Sequence, residues 1–65
     1  KNNSYKRLSE QEKKVLEMLL QNKSYKTIAE EMNISISTVK TYMKRIYEKT
    51  NIKNIDDLKN KFKKE

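Results

Sequence analysis

Apolar side chains recur three and four residues apart through most of the chain, which is the spacing of amphipathic helices. Val15, Leu16, Leu19 and Leu20 form one such stripe, with Glu10, Lys13, Lys14 and Glu17 on the opposite side. Its start is marked by Ser9-Glu10-Gln11-Glu12, a capping box in which the Ser9 hydroxyl takes the Glu12 amide and the Glu12 carboxylate returns to the Ser9 amide. The pattern fades at Gln21-Asn22-Lys23, and Asn22 is the residue there most tolerant of a left-handed ending. Ser24 caps a second, short helix on which Tyr25, Ile28, Ala29 and Met32 share a face. A third helix is predicted over Ile36 to Lys49. After Thr50-Asn51-Ile52-Lys53, Asn54 caps a fourth, with Asp56 and Asp57 at its positive end and Ile55, Leu58 and Phe62 along its apolar side.

The link between the second and third helices is the sharpest local signal. Asn33 suits a positive φ, Ile34 can plug the core and Ser35 can cap the next helix, so two helices meet across a tight turn as in a helix-turn-helix. With no strand pattern and no internal repeat, the predicted fold class is all-α: a compact four-helix domain. Its ordered core should run from Leu8 to Phe62. The opening KNNSYKR carries no core pattern and reads as the remnant of a linker over residues 1–7, with the domain over residues 8–65. Fraying is expected at Lys1 to Arg7 and Lys63 to Glu65, and a regulatory domain is expected upstream.

Placing the third helix on a wheel at about 100° per residue separates three chemistries. Ile36, Val39, Met43, Ile46 and Tyr47 gather on an inner face, while Ser37, Lys40, Thr41, Lys44 and Glu48 lie opposite. Along one edge run Thr38, Tyr42, Arg45 and Lys49, a line of hydrogen-bond donors able to follow a phosphate backbone. An outward polar face of this kind contributes little to stability, so its residues are free for recognition.

Composition narrows the partner. The 65 residues hold 16 Lys and Arg against 9 Asp and Glu, a net charge of +7, and contain no Cys, His, Gly or Pro. Disulfides, thiolate chemistry, nearly all transition-metal sites and glycine-rich phosphate loops are thereby excluded. An anionic partner is implied, most often nucleic acid. No apolar run approaches the ~20 residues of a membrane span, and the first residues lack the apolar core of a signal peptide, so a cytoplasmic location is expected.

Other residues support plainer readings. Glu30-Glu31 and Asp56-Asp57 are adjacent carboxylates, but helical neighbours point about 100° apart, and neither pair has a nucleophile or metal set beside it. No enzyme, no catalytic residue and no cofactor is therefore expected. Ala29 reads as a small residue for close helix packing. Of the tyrosines, Tyr25 and Tyr47 fall on core stripes and Tyr5 in the linker, leaving Tyr42 as the contact candidate.

Three segments together resemble a known family: Leu8-Ser9-x-x-Glu12-x-x-Val15-Leu16-x-x-Leu19-Leu20, Ser24-x-Lys26-x-Ile28-Ala29 and Ile34-Ser35-x-x-Thr38-Val39-Lys40. The chain resembles the LuxR-type (GerE-like) DNA-binding domain of bacterial regulators, and Lys49-x-x-Ile52-x-Asn54-x-x-Asp57-Leu58 keeps the family spacing through the fourth helix. The resemblance implies the output module of a transcription factor, often a response regulator, that binds double-stranded DNA as a dimer and has RNA polymerase as a further partner. It implies base contacts from Lys40, Thr41 and Lys44, the outward residues of the wheel. Backbone contacts are expected from Ser24, Lys26, Ser37, Thr38, Tyr42, Arg45 and Lys49. A weak dimer contact is expected on the fourth helix at Asp57, Leu58, Asn60 and Lys61.

The sequence departs from the family where Asn22 replaces Gly, Thr27 replaces Glu, Tyr42 replaces His and Thr50 replaces Leu. The last of these should loosen the end of the third helix. Two other functions compete: promoter recognition like region 4 of a sigma factor, which shares the Leu8-Ser9-x-x-Glu12 opening, and a protein-interaction module whose basic face meets an acidic partner. The fourth helix favours the LuxR-type reading over the first. A basic amphipathic membrane binder fits poorly, because the basic face lacks flanking Trp, Phe or Leu.

Overall fold

The computed structural model describes residues 3–62, and the side chain of Asn3 is not described. The described chain is helical throughout, with α1 over Asn3–Lys6, α2 over Glu10–Leu20, α3 over Tyr25–Met32, α4 over Ile36–Thr50 and α5 over Ile55–Phe62. The four predicted helices are α2 to α5. The expected fraying of Lys63 to Glu65 lies outside the described residues.

One device starts every helix from α2 onward: a side-chain oxygen accepts the amide three residues ahead. Ser9 takes the amide of Glu12, Ser24 that of Thr27, Ser35 that of Thr38 and Asn54 that of Asp57. Each satisfies one of the donors that a helix N-terminus leaves without an intrahelical partner. The fourth side chain of the motif also answers back. Glu12 closes the full capping box on the Ser9 amide at 2.9 Å, whereas Thr27 and Thr38 meet the cap hydroxyls at 3.1 and 2.9 Å. Thr27, standing where the family has Glu, thus keeps a shortened form of the same cap.

A second device ends them. Asn22, Asn33 and Asn51 take φ of 66°, 59° and 60°, the left-handed region that asparagine enters at lower cost than most residues. After each, the next amide reaches back five residues: Lys23 to Met18, Ile34 to Ala29 and Ile52 to Tyr47, at 3.2, 2.9 and 3.2 Å. This satisfies carbonyls that the helix end would otherwise leave open. Ile34 and Ile52 come directly after these turns and are half-buried against the core. A chain without glycine thus turns three times on asparagine.

Helix α4 packs on both α2 and α3, and α5 packs on α2. The core they enclose is Leu8, Val15, Leu16, Leu19, Ile28, Ala29, Val39, Met43, Ile46 and Leu58. Ile36, expected on the inner face of α4, is instead 42% exposed. It occupies the first helical position, where the Cα–Cβ bond tilts toward the N-terminus and carries the side chain off the end of the core. Its place in the stripe is taken at the other end by Thr50. That residue is buried, and its hydroxyl donates to the Ile46 carbonyl at 2.7 Å, so the threonine satisfies its own polar group and α4 stays packed to its last turn.

The opening residues also differ from expectation. Asn3–Lys6 form a helical turn, and the Tyr5 ring packs tilted against Phe62, with centroids 6.1 Å and planes 53° apart. Its hydroxyl donates to Glu17 at 2.7 Å, and the Lys13 ammonium lies 5.2 Å from the ring centre. The Glu17 bond, with some burial, raises the Tyr5 phenol above its usual range. A lone tyrosine in a polar stretch gives no periodic signal, so sequence pattern alone could not place it.

Candidate nucleic-acid interface

The outward face of α4 exists because its inward face is fixed. Val39, Met43 and Ile46 are buried, which turns Ser37, Lys40, Thr41, Lys44 and Glu48 to solvent, and all five are exposed. The turn Asn33-Ile34-Ser35 holds this helix against α3. A shallow depression lined by Lys26, Glu30, Asn33, Ile34 and Ile36 brings Lys26 beside the start of α4. Ser24 sits at the head of α3 with its hydroxyl engaged in the cap. Thr38 and Tyr42 are half-buried on the edge, and Arg45 is exposed. Among the described residues, Lys26, Lys40, Lys44 and Arg45 form no ion pair. With Glu48 the one carboxylate of α4, they leave its outward face cationic in balance.

Lys49 departs from its expected place on the phosphate edge. Its ammonium is turned onto Glu12 at 2.8 Å, and Glu12 is 2% exposed. One carboxylate oxygen therefore accepts from both the Ser9 amide and Lys49, joining the first turn of α2 to the last turn of α4. Burial alone would push the Glu12 carboxyl up. The Lys49 hydrogen bond, the Ser9 amide and the charges of Lys49 and Arg45 outweigh it and hold the group below its ordinary value. Sequence pattern marks Glu12 first as a cap. The overlooked signal is its spacing, since Glu12 lies three, four and seven residues before Val15, Leu16 and Leu19 and so shares their buried face.

On α5, Leu58 is fully buried and cannot contribute to a dimer contact as expected. Its side chain fills the core beside α2, which is what anchors this last helix. Asp57, Asn60 and Lys61 are exposed. Asn60 lines an open groove between α5 and the end of α2, together with Glu17, Leu20, Lys59 and Phe62. Lys59 donates to the Asn22 side chain at 3.0 Å, and both residues line the groove. Among the described residues, no cluster of carboxylates is placed to hold a metal ion, and no helix is long and apolar enough to cross a membrane.

A helix-turn-helix that buries one face of its second helix and presents lysines on the other defines a class of nucleic-acid-binding domain. The chain belongs to the luxR family of bacterial regulatory proteins, whose sequence profile matches residues 6–61. It is a DNA-binding regulatory domain, in a family that is not a class of enzymes. It is similar to the transcriptional regulatory protein DesR of Bacillus subtilis (strain 168), with 43% identity over 47 residues, 72% of this chain and 24% of the relative. The chain thus spans about a quarter of the length of the curated relative it matches. No solved structure matches the chain significantly.

Proposed function

We propose that this domain binds double-stranded DNA in a sequence-specific manner as the output module of a bacterial transcription regulator, with α4 in the major groove. The supporting observation is the division of α4: Val39, Met43 and Ile46 are buried and set the helix against the fold, and the opposite face presents Lys40, Thr41 and Lys44 to solvent. These three contact base edges, and Ser37, Thr38, Tyr42 and Arg45 lie along the phosphates on α4. Ser24 and Lys26 do the same from the head of α3, where unsatisfied amides favour an anion. Lys49 serves the fold through Glu12. Phosphate contacts supply most of the affinity, and base edges add discrimination of roughly 1–3 kcal/mol per good contact.

The domain acts in pairs. Asp57, Asn60 and Lys61 form the exposed flank of α5, and a helix of this size buries only a few hundred Å2 per partner, short of the ~800 Å2 of a stable interface. Self-association is therefore weak in solution and is completed by DNA, which holds two copies at neighbouring half-sites. The similarity to a transcriptional regulatory protein several times longer supports a regulatory domain elsewhere in the whole protein. In this reading the protein works in the cytoplasm with RNA polymerase as its downstream partner.

Titrating duplex DNA at rising salt tests the reading. With Lys26, Lys40, Lys44 and Arg45 as the cations this face offers, ~4 phosphates are neutralised per domain and log K against log[salt] falls with a slope of roughly −3.6. A slope near zero, or no retention on duplex at low salt, contradicts it and points to a protein partner.

A further inference from the structure

Thr41 stands on the exposed face of α4 between Lys40 and Lys44, and its hydroxyl is already spent. Oγ1 donates to the carbonyl oxygen of Ser37, one turn back, at 3.2 Å. A threonine Cβ carries only a hydroxyl, a methyl and a hydrogen. With the hydroxyl proton folded onto the helix backbone, Thr41 in this rotamer offers no donor to a base acceptor; Oγ1 keeps its acceptor lone pairs, and the methyl is the one apolar group it presents. Its neighbours differ in kind: Lys40 and Lys44 offer ammonium donors that suit acceptor edges such as guanine O6 and N7. The one apolar feature on a base edge in the major groove is the thymine C5-methyl.

Resting on the reading that α4 enters the major groove, we infer that Thr41 is a specificity-determining residue that selects thymine through methyl-to-methyl contact. The contact excludes water from both methyl groups, and the gain scales with the apolar surface removed. Cytosine in the same place removes the methyl and with it the apolar contact, so thymine is preferred by the worth of that methyl.

The test uses the 65-residue chain and a duplex selected from a random pool by its binding. Each thymine is replaced in turn by uracil, which pairs identically and lacks only the methyl. One thymine per half-site should prove sensitive, with affinity falling roughly fourfold, the worth of one buried methyl. Thr41→Val, which keeps a methyl and drops the hydroxyl, should show the same loss. Thr41→Ser should bind the thymine and uracil duplexes equally, at the affinity of the wild type for uracil, with unchanged helical circular dichroism. A uracil penalty that survives Thr41→Ser, or disappears in Thr41→Val, overturns the inference. So does a selected duplex indifferent to uracil at every thymine, and this result leaves the groove reading intact. A chain that selects no duplex overturns that reading and takes this inference with it.

Discussion

Replacing Lys49 with methionine should destabilise the domain by about 2 kcal/mol, because it removes the ammonium from a carboxylate that cannot reach water by itself. A hydrogen bond to a charged group contributes ~1.5–3 kcal/mol, and stripping the partner from a fully buried charge costs ~3–5 kcal/mol. The Lys49 side chain is 37% exposed against 2% for Glu12, so water enters from the lysine side and the smaller figure applies. For a domain of this size, 2 kcal/mol lowers Tm by roughly 8–16 °C. Methionine keeps an unbranched apolar stem only one atom shorter, so the main change is the loss of the ammonium.

Acidification makes the test sharper. The folded-state pKa of Glu12 lies below its ordinary 4.5, so the stability it confers is complete above that value and is lost as pH falls through the folded pKa. In Lys49→Met the burial of Glu12 remains without its partner, its folded pKa rises, and protonation relieves the variant. The stability gap between the two proteins should therefore narrow from pH 7 to pH 3, measured by urea unfolding with circular dichroism. Adding Glu12→Gln to Lys49→Met should recover part of the loss at pH 7, since the amide still caps Ser9. A gap independent of pH, or a double variant no better than the single, would refute the ion pair as a tie between α2 and α4.

The packing of α1 and the pairing on DNA each have their own test. Tyr5→Ala should lower stability by about 1 kcal/mol, the worth of one aromatic pair, and shift the urea midpoint accordingly; an unmoved midpoint would mean that α1 contributes nothing to the domain. On DNA, a duplex with two half-sites about 10 bp apart, or a multiple of it, should be filled cooperatively by a protein that sediments as a monomer or weak dimer alone. Equal affinity per half-site on one-site and two-site duplexes would remove the pair from the mechanism.

Helix starts and stops were the most legible part of the sequence, because they depend on residues adjacent in the chain. Ser9, Ser24, Ser35 and Asn54 cap where the pattern places them, and Asn22 and Asn33 turn left-handed as their chemistry allows. The outward residues of α4 were legible for a related reason: a strict helical period on one face determines the other. Contacts between distant segments were not. The Glu12 to Lys49 pair spans 37 positions, and the Tyr5 to Phe62 ring contact joins the two ends of the described chain. No periodic pattern encodes either contact. Ile36 failed because a wheel gives a side chain's angle but not where along the axis the core stops, and Ile36 lies past that limit. Leu58 falls on the apolar side by its spacing and is buried there; its assignment to a dimer contact came from the family resemblance.

The central claim is that the outer face of α4 reads DNA while its inner face holds the fold, and substitution of Lys40 and Lys44 addresses both halves in a single comparison. Lys40→Ala and Lys44→Ala, each measured on a selected duplex and on one of scrambled sequence, should lose the preference for the selected site. Helical circular dichroism and Tm should stay within the small range typical of surface changes. A Lys40→Ala variant that binds the selected duplex as tightly as the wild type, with its fold intact, would contradict the account.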